Sequence, residues 1–222
     1  MTTGGSGRAG RTRLGRRLVQ LYAGLVLYGF SMALFVRGRL GVMPWDVLHQ
    51  GLARRIGGTL GTMTIAVGVL VLLLWIPLRE RPGLGTVSNV IVIGLVVDAV
   101  LRVLPMPDPL AVRIAFVGLG VLLNAVATAA YIGARLGPGP RDGLMTGLVG
   151  RTGWSVRLVK TTIEVTVVAL GWLLGGTFGV GTLVYAFGIG PVVHLLMPRF
   201  VVPGADPVIE PVPSAVSGSA PA

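Results

Sequence analysis

Four long uncharged runs constrain the fold of this chain more than any other feature. They cover residues 18–36, 56–78, 114–134 and 165–198, and the last run contains no charged side chain unless His194 is protonated. A membrane-spanning helix needs about 20 predominantly apolar residues, and several of the runs exceed the length of ordinary soluble core helices. The runs therefore predict an all-α polytopic membrane protein whose surface contacts a lipid bilayer.

The composition also favours a membrane protein. Charged residues make up 12% of the chain and hydrophobic residues 53%, whereas soluble domains carry about 25% charged residues. The net charge is +11, but the basic residues lie in tails and loops beside apolar runs, as the positive-inside rule describes. No basic face with stacking aromatic residues is visible, so we expect no nucleic-acid partner. The absence of cysteine excludes disulfides, thiolate catalysis and cysteine-based metal sites.

An internal duplication divides the chain into two halves. Residues 39–52 and 135–148 are identical at eight of fourteen positions, at an offset of 96 residues. The same offset, without a gap, aligns Gly-Leu-Gly-Thr at 83–86 with Gly-Val-Gly-Thr at 179–182. In an apolar chain, a charged motif with proline in each half is typical of transporters built from two repeats.

Each half has the same predicted order of elements: a long span, the charged motif, a short apolar segment, a second span, Gly-x-Gly-Thr and a third span. The predicted full spans are 18–37, 60–78, 86–104, 114–134, 156–174 and 182–198. The predicted organisation is a disordered basic tail, a first membrane repeat, a Pro-rich linker, a second membrane repeat and a disordered tail, at 1–17, 18–104, 105–113, 114–200 and 201–222.

The short segments, at 45–57 and 141–153, decide the topology. A helix of about 12 residues covers roughly 18 Å, well short of the roughly 30 Å core of a bilayer. If these segments do not span, the chain has six full spans and inverted repeats; if they do, it has eight spans and parallel repeats. Segment length favours six full spans with two broken helices.

The distribution of basic residues predicts the orientation. With the N-terminus inside, the six-span and the eight-span arrangements both place 13 Arg and Lys inside and 6 outside. We therefore expect a multi-pass protein of the bacterial plasma membrane with both termini in the cytoplasm. The charge count is the same for inverted and parallel repeats, so it does not distinguish them.

The paired motifs resemble those of a known family. Leu-Gly-x-x-Pro-x-Asp-x-Leu at 40–48, its second copy Gly-Pro-Gly-Pro-Arg-Asp-Gly-Leu-Met at 137–145, and Gly-x-Gly-Thr before a span are similar to the YczE/YyaS/YitT family of bacterial integral membrane proteins. The resemblance covers roughly residues 18–200. The resemblance implies that the chain is located in a bacterial membrane and has the architecture of an integral membrane protein. Because the family's activity is poorly defined, it implies no catalytic or binding residue.

The aspartates of the two motifs are the first candidates for a binding site. Asp46 and Asp142 lie two residues after a proline, at the predicted starts of the short helices. Two interpretations stay open: each carboxylate favours the positive end of its own helix, or the two helix N-termini meet a solute from opposite sides. Their neighbours differ. Trp45 can lie at the headgroup level, and Arg141 can hold an anion or pair with Asp142.

Three further ionisable residues lie inside predicted spans, where charge is costly and function is a default hypothesis. Asp98 is either functional or neutralised by Arg102 four residues later, and Glu164 has the same alternative with Lys160 four residues before it. His194 lies one repeat offset after Asp98, so a pseudo-symmetric pairing of the two is expected. His194 is either a packed polar residue or a proton carrier.

Small residues in the motifs are expected to be structural. The Gly-Thr pairs end a tight loop and cap the next helix, and the Gly and Pro residues of the charged motif mark equivalent chain breaks. They are Gly41, Pro44, Gly85 and Thr86 in the first half, and Gly137, Pro140, Gly181 and Thr182 in the second.

The leading functional hypothesis is transport or permeation of a small polar solute at the repeat interface. Asp46, Asp142, Arg141 and Glu164 would then share one cavity. The competing class is a non-transporting membrane scaffold or accessory protein, in which the proline motifs only break helices. We expect that the protein is not an enzyme and binds no cofactor or metal, because the sequence contains no recognisable set of catalytic residues or cluster of metal ligands. A homo-oligomer is compatible with both hypotheses.

Overall fold

Between residues 5 and 202 the chain folds into eight α-helices. The computed structural model describes this range, with side chains from Leu14 onward. The helices are α1 (Gly5–Gly38), α2 (Pro44–Ile56), α3 (Leu60–Leu78), α4 (Leu84–Val103), α5 (Leu110–Gly133), α6 (Pro140–Thr152), α7 (Val156–Leu173) and α8 (Val180–Phe200). The described range contains no strand, so the prediction of an all-α protein is confirmed.

The helices expose apolar surface, as a membrane protein requires. By length and composition α3, α4, α5, α8 and the apolar part of α1 are able to cross a bilayer. Large side chains such as Leu122 and Phe187 are exposed on them. Among the six predicted full spans, α7 is the exception. It has 18 residues and carries Arg157, Lys160 and Glu164, so the six-span count depends on whether α7 crosses.

Local sequence explains the limits of the two short helices. Both begin with proline at the first helical position, Pro44 and Pro140, where a missing N–H costs no intrahelical bond. Both are followed by a glycine with positive φ, 84° at Gly57 and 69° at Gly153. Each helix has 13 residues and is therefore about 20 Å long, as the predicted short segments require.

The centre of the fold is the antiparallel pair α1 and α5. At one end, the Arg17 guanidinium donates to the carbonyl oxygens of Ala134 and the next residue, at 2.8 and 2.7 Å. At the other end, the Arg113 guanidinium donates to the carbonyl oxygens of Gly38 and the next residue, at 2.9 and 2.8 Å. The start of α5 is therefore fixed to the end of α1, and the start of the apolar part of α1 is fixed to the end of α5.

Glycines bring α1 and α5 close together. A Cβ added to Gly24 would lie 2.9 Å from the backbone nitrogen of Tyr131, and one added to Gly120 would lie 2.8 Å from the Phe35 ring. Small residues allow this approach because membrane helices associate through van der Waals contact rather than through exclusion of water. The two glycines are 96 residues apart in the chain.

The extended segments that lead into α2 and α6 are bonded to the starts of two spanning helices. The N–H of Gly181 donates to the carbonyl oxygen of Leu40 at 2.7 Å, and the N–H of Gly85 donates to that of Leu136 at 2.7 Å. Both donors lie at the beginning of a helix, where N–H groups have no intrahelical partner. Each segment is thereby attached to the other half of the chain.

The threonines of the Gly-x-Gly-Thr motifs cap their own helices. The Thr86 hydroxyl oxygen accepts the N–H of Gly83 at 3.1 Å, and the Thr182 hydroxyl oxygen accepts that of Gly179 at 3.2 Å. Both hydroxyls are buried. The motif therefore starts α4 and α8 at equivalent points.

The described part of the N-terminal segment differs from the prediction. The sequence predicts a disordered tail up to residue 17, whereas α1 is helical from Gly5. The bonds of Arg17 to the end of α5 hold the last turn of this segment against the fold. Residues 1–4 and 203–222, the remainder of both predicted tails, lie outside the described range. Val202, at its end, is buried, and its N–H donates to the Gly133 carbonyl oxygen at 3.3 Å.

Substituting Gly24 tests the close approach of α1 and α5. We expect Gly24→Ala to lose about 1–3 kcal/mol of stability, because the new methyl group would meet backbone atoms that cannot rotate away. Gly15→Ala on the same helix has open space around its Cβ and is expected to be neutral or to gain up to about 1 kcal/mol. Thermal unfolding in detergent measures both. Equal stability of the two variants would contradict the tight packing at Gly24.

Candidate functional site

A cavity of about 270 Å³ is lined by residues from all eight helices. The volume is near the lower limit for small-molecule sites, which suits a small solute. Its walls are largely apolar, with several ionisable groups among them. These groups are Tyr28, His49, Tyr131, Arg141, Asp142, Lys160, Glu164 and Tyr185.

The first turns of α2 and α6 open onto this cavity. Pro44 and Trp45 line it from α2, and Pro140 and Arg141 line it from α6. The N–H groups of a helix N-terminus and the positive end of its macrodipole favour a negatively charged group. The cavity therefore receives two helix N-termini, one from each charged motif.

Two glycines make this geometry accessible to the chain. Gly41 and Gly137 have φ of 110° and 127°, a region that residues with a Cβ rarely adopt. A Cβ on Gly41 would lie 2.7 Å from the nitrogen of Gly179, and one on Gly137 would lie 2.7 Å from the Thr86 hydroxyl oxygen. Both conformation and space therefore require glycine before each short helix.

Arg141 and Asp142 have separate partners. The guanidinium carbon of Arg141 lies 4.8 Å from the centre of the Trp45 ring, a cation–π contact that joins α6 to α2. The Asp142 carboxylate instead accepts a hydrogen bond of 2.9 Å from the Tyr131 hydroxyl. Of the two alternatives left open for Arg141, a pair with Asp142 is not formed. Its guanidinium remains available to an anion.

Asp46 lies behind the cavity wall. The residue is fully buried, and its Oδ1 is 3.1 Å from Nδ1 of His49, which does line the cavity. Its Oδ2 is buried without a hydrogen-bond partner. Asp142 lines the cavity and Asp46 does not, because the first turn of α2 directs Asp46 toward His49.

Lys160 and Glu164 line the cavity from α7. Their charged atoms are 4.0 Å apart, at the limit of a salt bridge, and both side chains remain partly exposed. A pair with this exposure contributes little to stability. Either group is therefore free to contact a solute, in addition to neutralising the other.

Asp98 has a structural role outside the cavity. Its carboxylate accepts the N–H of Gly61 at 2.8 Å and the hydroxyl hydrogen of Thr59, so it covers the N-terminus of α3. Within the described side chains, Arg102 is not within salt-bridge distance of it. The hydrogen-bond donors at the start of α3, rather than an arginine one turn away, therefore stabilise the charge of this carboxylate.

His194 lies away from the predicted partner. It does not line the cavity, although its neighbour Val193 does. No hydrogen bond or ion pair joins His194 to Asp98 among the described residues. The repeat offset places the two residues at equivalent positions of α4 and α8, and these helices do not pack against each other in the described part of the chain.

Sequence reasoning missed the tyrosines of the site. Tyr28, Tyr131 and Tyr185 all line the cavity, and the rings of Tyr28 and Tyr131 meet edge to face with centres 6.3 Å apart. The Tyr185 hydroxyl donates to the buried amide of Asn124 at 3.0 Å. Their signal in the sequence was weak, because a tyrosine inside an apolar run is equally typical of a membrane interface.

The fold and the cavity define the class: an all-helical, multi-pass membrane protein with a small cavity that contains ionisable groups. Within the described residues, no group of three or more His, Asp or Glu side chains could hold a metal ion. The ionisable groups that line the cavity are those of Arg, Lys, two carboxylates, one histidine and three tyrosines.

The chain belongs to the Family of unknown function (DUF6198), whose model matches residues 15–198. An uncharacterized protein of Haemophilus influenzae is 40% identical over 173 residues, which cover 78% of this chain and 79% of the relative. The uncharacterized membrane protein YczE of Bacillus subtilis is 32% identical over 182 residues, covering 81% and 85%. The uncharacterized protein YyaS of the same bacterium is 25% identical over 179 residues, covering 79% and 89%. The predicted resemblance to YczE and YyaS is confirmed. No solved structure matches the chain.

Removing the Tyr131 hydroxyl tests the arrangement around Asp142. We expect Tyr131→Phe to cost about 1–3 kcal/mol of stability, because the half-buried carboxylate of Asp142 loses its hydroxyl donor. Tyr22→Phe, which removes a 3.2 Å bond to Ser88 at a more exposed position, is the matched control and should cost less. If Asp142→Asn reduces the penalty of Tyr131→Phe in a double-mutant cycle, the two groups are coupled. Independent effects would contradict the contact.

Proposed function

We propose that this protein is a transporter or permease of a small polar solute, and that the cavity is its binding site. The observation that carries the proposal is the meeting of two matching helix N-termini at one cavity, from motifs 96 residues apart. Discontinuous helices whose N-termini face a central site are typical of transporters built from inverted repeats. A protein that only anchors partners in the bilayer has no need of such a cavity.

The proposal includes inverted repeats, 18–104 and 114–200. Equivalent helices that pack antiparallel, as α1 and α5 do, are expected when a two-fold axis relates the halves across the membrane plane. The bonds of Arg17 to the end of α5 and of Arg113 to the end of α1 form a reciprocal pair at an offset of 96 residues.

Matching backbone conformations support the same repeat relation. Left-handed residues recur at equivalent points: Arg39 with φ of 53° and Arg135 with 52°, like the glycines at 41 and 137 and those at 57 and 153. A non-glycine residue with positive φ is uncommon, so its recurrence at one offset favours descent of both halves from one folded unit.

We infer that α7 is the sixth full span. Its 18 residues give a length of about 27 Å, close to the thickness of a bilayer core. Lys160 and Glu164 line the cavity and their charged atoms are 4.0 Å apart, which reduces the cost of charge within the membrane. With six spans and two re-entrant helices, the 13 inside and 6 outside basic residues support our proposal that both termini lie in the cytoplasm of a bacterium.

A difference between the halves suggests how a solute reaches the site. In the first half α3 packs along α4, and a Cβ on Gly94 would meet Ile65 at 2.6 Å. In the second half α7 and α8 make little contact, and Gly190, the counterpart of Gly94, has open space around its Cβ position. Gly190 and Glu164 both line the cavity. We propose that the solute enters through the gap between α7 and α8. During transport this gap would close while the packed contact between α3 and α4 opens, so that access alternates between the two sides.

The lining favours a polar solute over a lipid. Arg141, Lys160 and the two helix N-termini offer positive partners, while Asp142 and Glu164 offer negative ones. Leaving these groups without partners against an acyl chain would cost free energy. A small molecule with an anionic or zwitterionic end fits them best.

One observation favours a second candidate, a non-transporting scaffold or accessory protein. Asp98, an intramembrane carboxylate, serves only to cover the start of α3 in this structure. If Asp142 served only as a similar structural partner of Tyr131, the motifs would be helix breakers. Asp46→Asn and Asp142→Asn that insert and fold while every phenotype stays intact would favour this candidate.

Flux into proteoliposomes tests the transport proposal. We expect at least one member of a panel of amino acids, small carboxylates, amines and polyols to enter vesicles that contain the protein and to raise its unfolding temperature in detergent. Arg141→Gln should weaken the apparent affinity about 10- to 100-fold, as expected for loss of a charged hydrogen bond. Arg157→Gln, at an exposed position of α7, is the matched control. No flux and no stabilisation with any panel member would contradict transport.

Single cysteines test the inverted topology, because the chain has none of its own. Ile56 and Thr152 are exposed, end the two short helices and are 96 residues apart. We expect Ile56→Cys to react with an impermeant maleimide added outside intact cells, and Thr152→Cys to react only after lysis. Labelling of both cysteines from the same side would contradict inverted repeats and favour eight spans.

A further inference from the structure

The cavity wall contains a histidine held by a buried carboxylate. His49 and Asp46 lie one turn apart on α2, their side chains are each about 1% exposed, and Nδ1 is 3.1 Å from Oδ1. The Thr64 hydroxyl oxygen on α3 is 3.2 Å from the same nitrogen. His49 and Thr64 line the cavity, whereas Asp46 lies behind them. This cluster forms no part of the solute contacts described above.

The hydrogen bonds assign the protons of the cluster. The Thr64 hydroxyl donates to the Leu60 carbonyl oxygen at 2.9 Å, so its oxygen is an acceptor toward His49. Two acceptors, from Thr64 and from the Asp46 carboxylate, therefore face Nδ1, and the neutral ring carries its hydrogen there. Nε2 is left with a lone pair. A carboxylate that fixes the tautomer in this way also stabilises the positive charge of a protonated ring.

The surroundings allow this ring to change charge. Among the described residues Asp46 Oδ2 has no hydrogen-bond partner, so no other group competes with the His49 ring for the carboxylate's negative charge. Neither α3 nor α4 contributes an ionisable side chain to the cavity. The titratable groups that face His49 from the other helices are Tyr28 on α1, Tyr131 on α5, Arg141 and Asp142 on α6, Lys160 and Glu164 on α7, and Tyr185 on α8.

We propose that His49 is a proton-binding site of the cavity, positioned by Asp46, and that its protonation is coupled to solute binding. The coupling rests on the proposed transport function. In the step, a proton from the cavity adds to the lone pair of Nε2 and no covalent bond breaks. The ring charge becomes +1 beside the −1 carboxylate of Asp46. Because a solute in the same cavity senses this charge, each ligand changes the affinity for the other by the same factor.

The first experiment addresses the proton site without any solute. The chain has only two histidines, and His194 lies outside the cavity lining, so His194→Gln leaves one imidazole. With ¹⁵N-labelled histidine in nanodiscs, we expect NMR to show the hydrogen on Nδ1 at high pH and a second proton on Nε2 as the pH falls. Asp46→Asn should weaken the preference for Nδ1, because Thr64 alone remains as the uncharged original acceptor. A ring with its hydrogen on Nε2, or a ring that does not titrate, would overturn the proposal.

The second experiment addresses coupling. Proteoliposomes loaded with a pH-sensitive dye would receive each panel solute that the wild-type protein moves. We expect solute entry to acidify the lumen for the wild type and for His194→Gln, and the acidification to be lost in His49→Gln while stabilisation by the solute persists. Asp46→Asn keeps the His49 ring and is the second variant, in case His49→Gln fails to fold. It should weaken the proton signal at least tenfold. Solute flux with no proton movement in the wild type would overturn coupling.

The two experiments separate the possible failures. If no panel solute moves in the wild type, the proposed transport function fails, and the coupling fails with it. The tautomer and titration of His49 in the single-histidine protein still decide the proton site itself. If His49→Gln keeps the full proton signal, the site lies elsewhere and the proposal is wrong.

Discussion

The structure depends on how two non-helical segments satisfy their backbone polar groups within an apolar fold. A bilayer core offers no water to exposed N–H and C=O groups, so irregular backbone persists there only where protein supplies partners. The carbonyl oxygens of Leu40 and Leu136 receive the free N–H groups at the starts of α8 and α4. Gly41 and Gly137 supply the conformation and the space for these contacts. Without them, neither short helix could begin inside the molecule.

This exchange of hydrogen bonds also determines the site. Because each segment is attached to the opposite half, the helices that follow begin at one cavity. The buried indole of Trp75 adds a second attachment, donating to the Pro140 carbonyl oxygen at 3.0 Å. Arg141 then reaches across to the Trp45 ring. The same contacts that stabilise the two short helices thus bring their positive N-terminal ends to the cavity, beside its ionisable groups.

The charged side chains fall into two groups: some bind helix termini, and others line the cavity. Asp98 covers the start of α3, and Arg17 and Arg113 bind the ends of α5 and α1. The hydrogen-bonding groups of these three side chains are therefore paired with helix termini. Arg141 and the exposed pair of Lys160 and Glu164 keep unused capacity toward the cavity. Charged groups that complete a helix end contribute to the fold, whereas those that line the cavity without a full set of partners are the ones available to the proposed solute.

The sequence by itself determined the helical class, the limits of nearly every helix, the two short helices and the family. Hydropathy, proline and glycine act locally, so Pro44 and Gly57 mark the ends of α2 before any tertiary contact is known. Only the tertiary structure decided that Asp98 is a helix cap, that Asp46 turns away from the cavity toward His49, and that three tyrosines face it. These outcomes depend on which faces of distant helices meet. Apolar residues surround spanning helices such as α3, α4 and α8 almost uniformly, so their sequences show little of the periodicity that would reveal those faces.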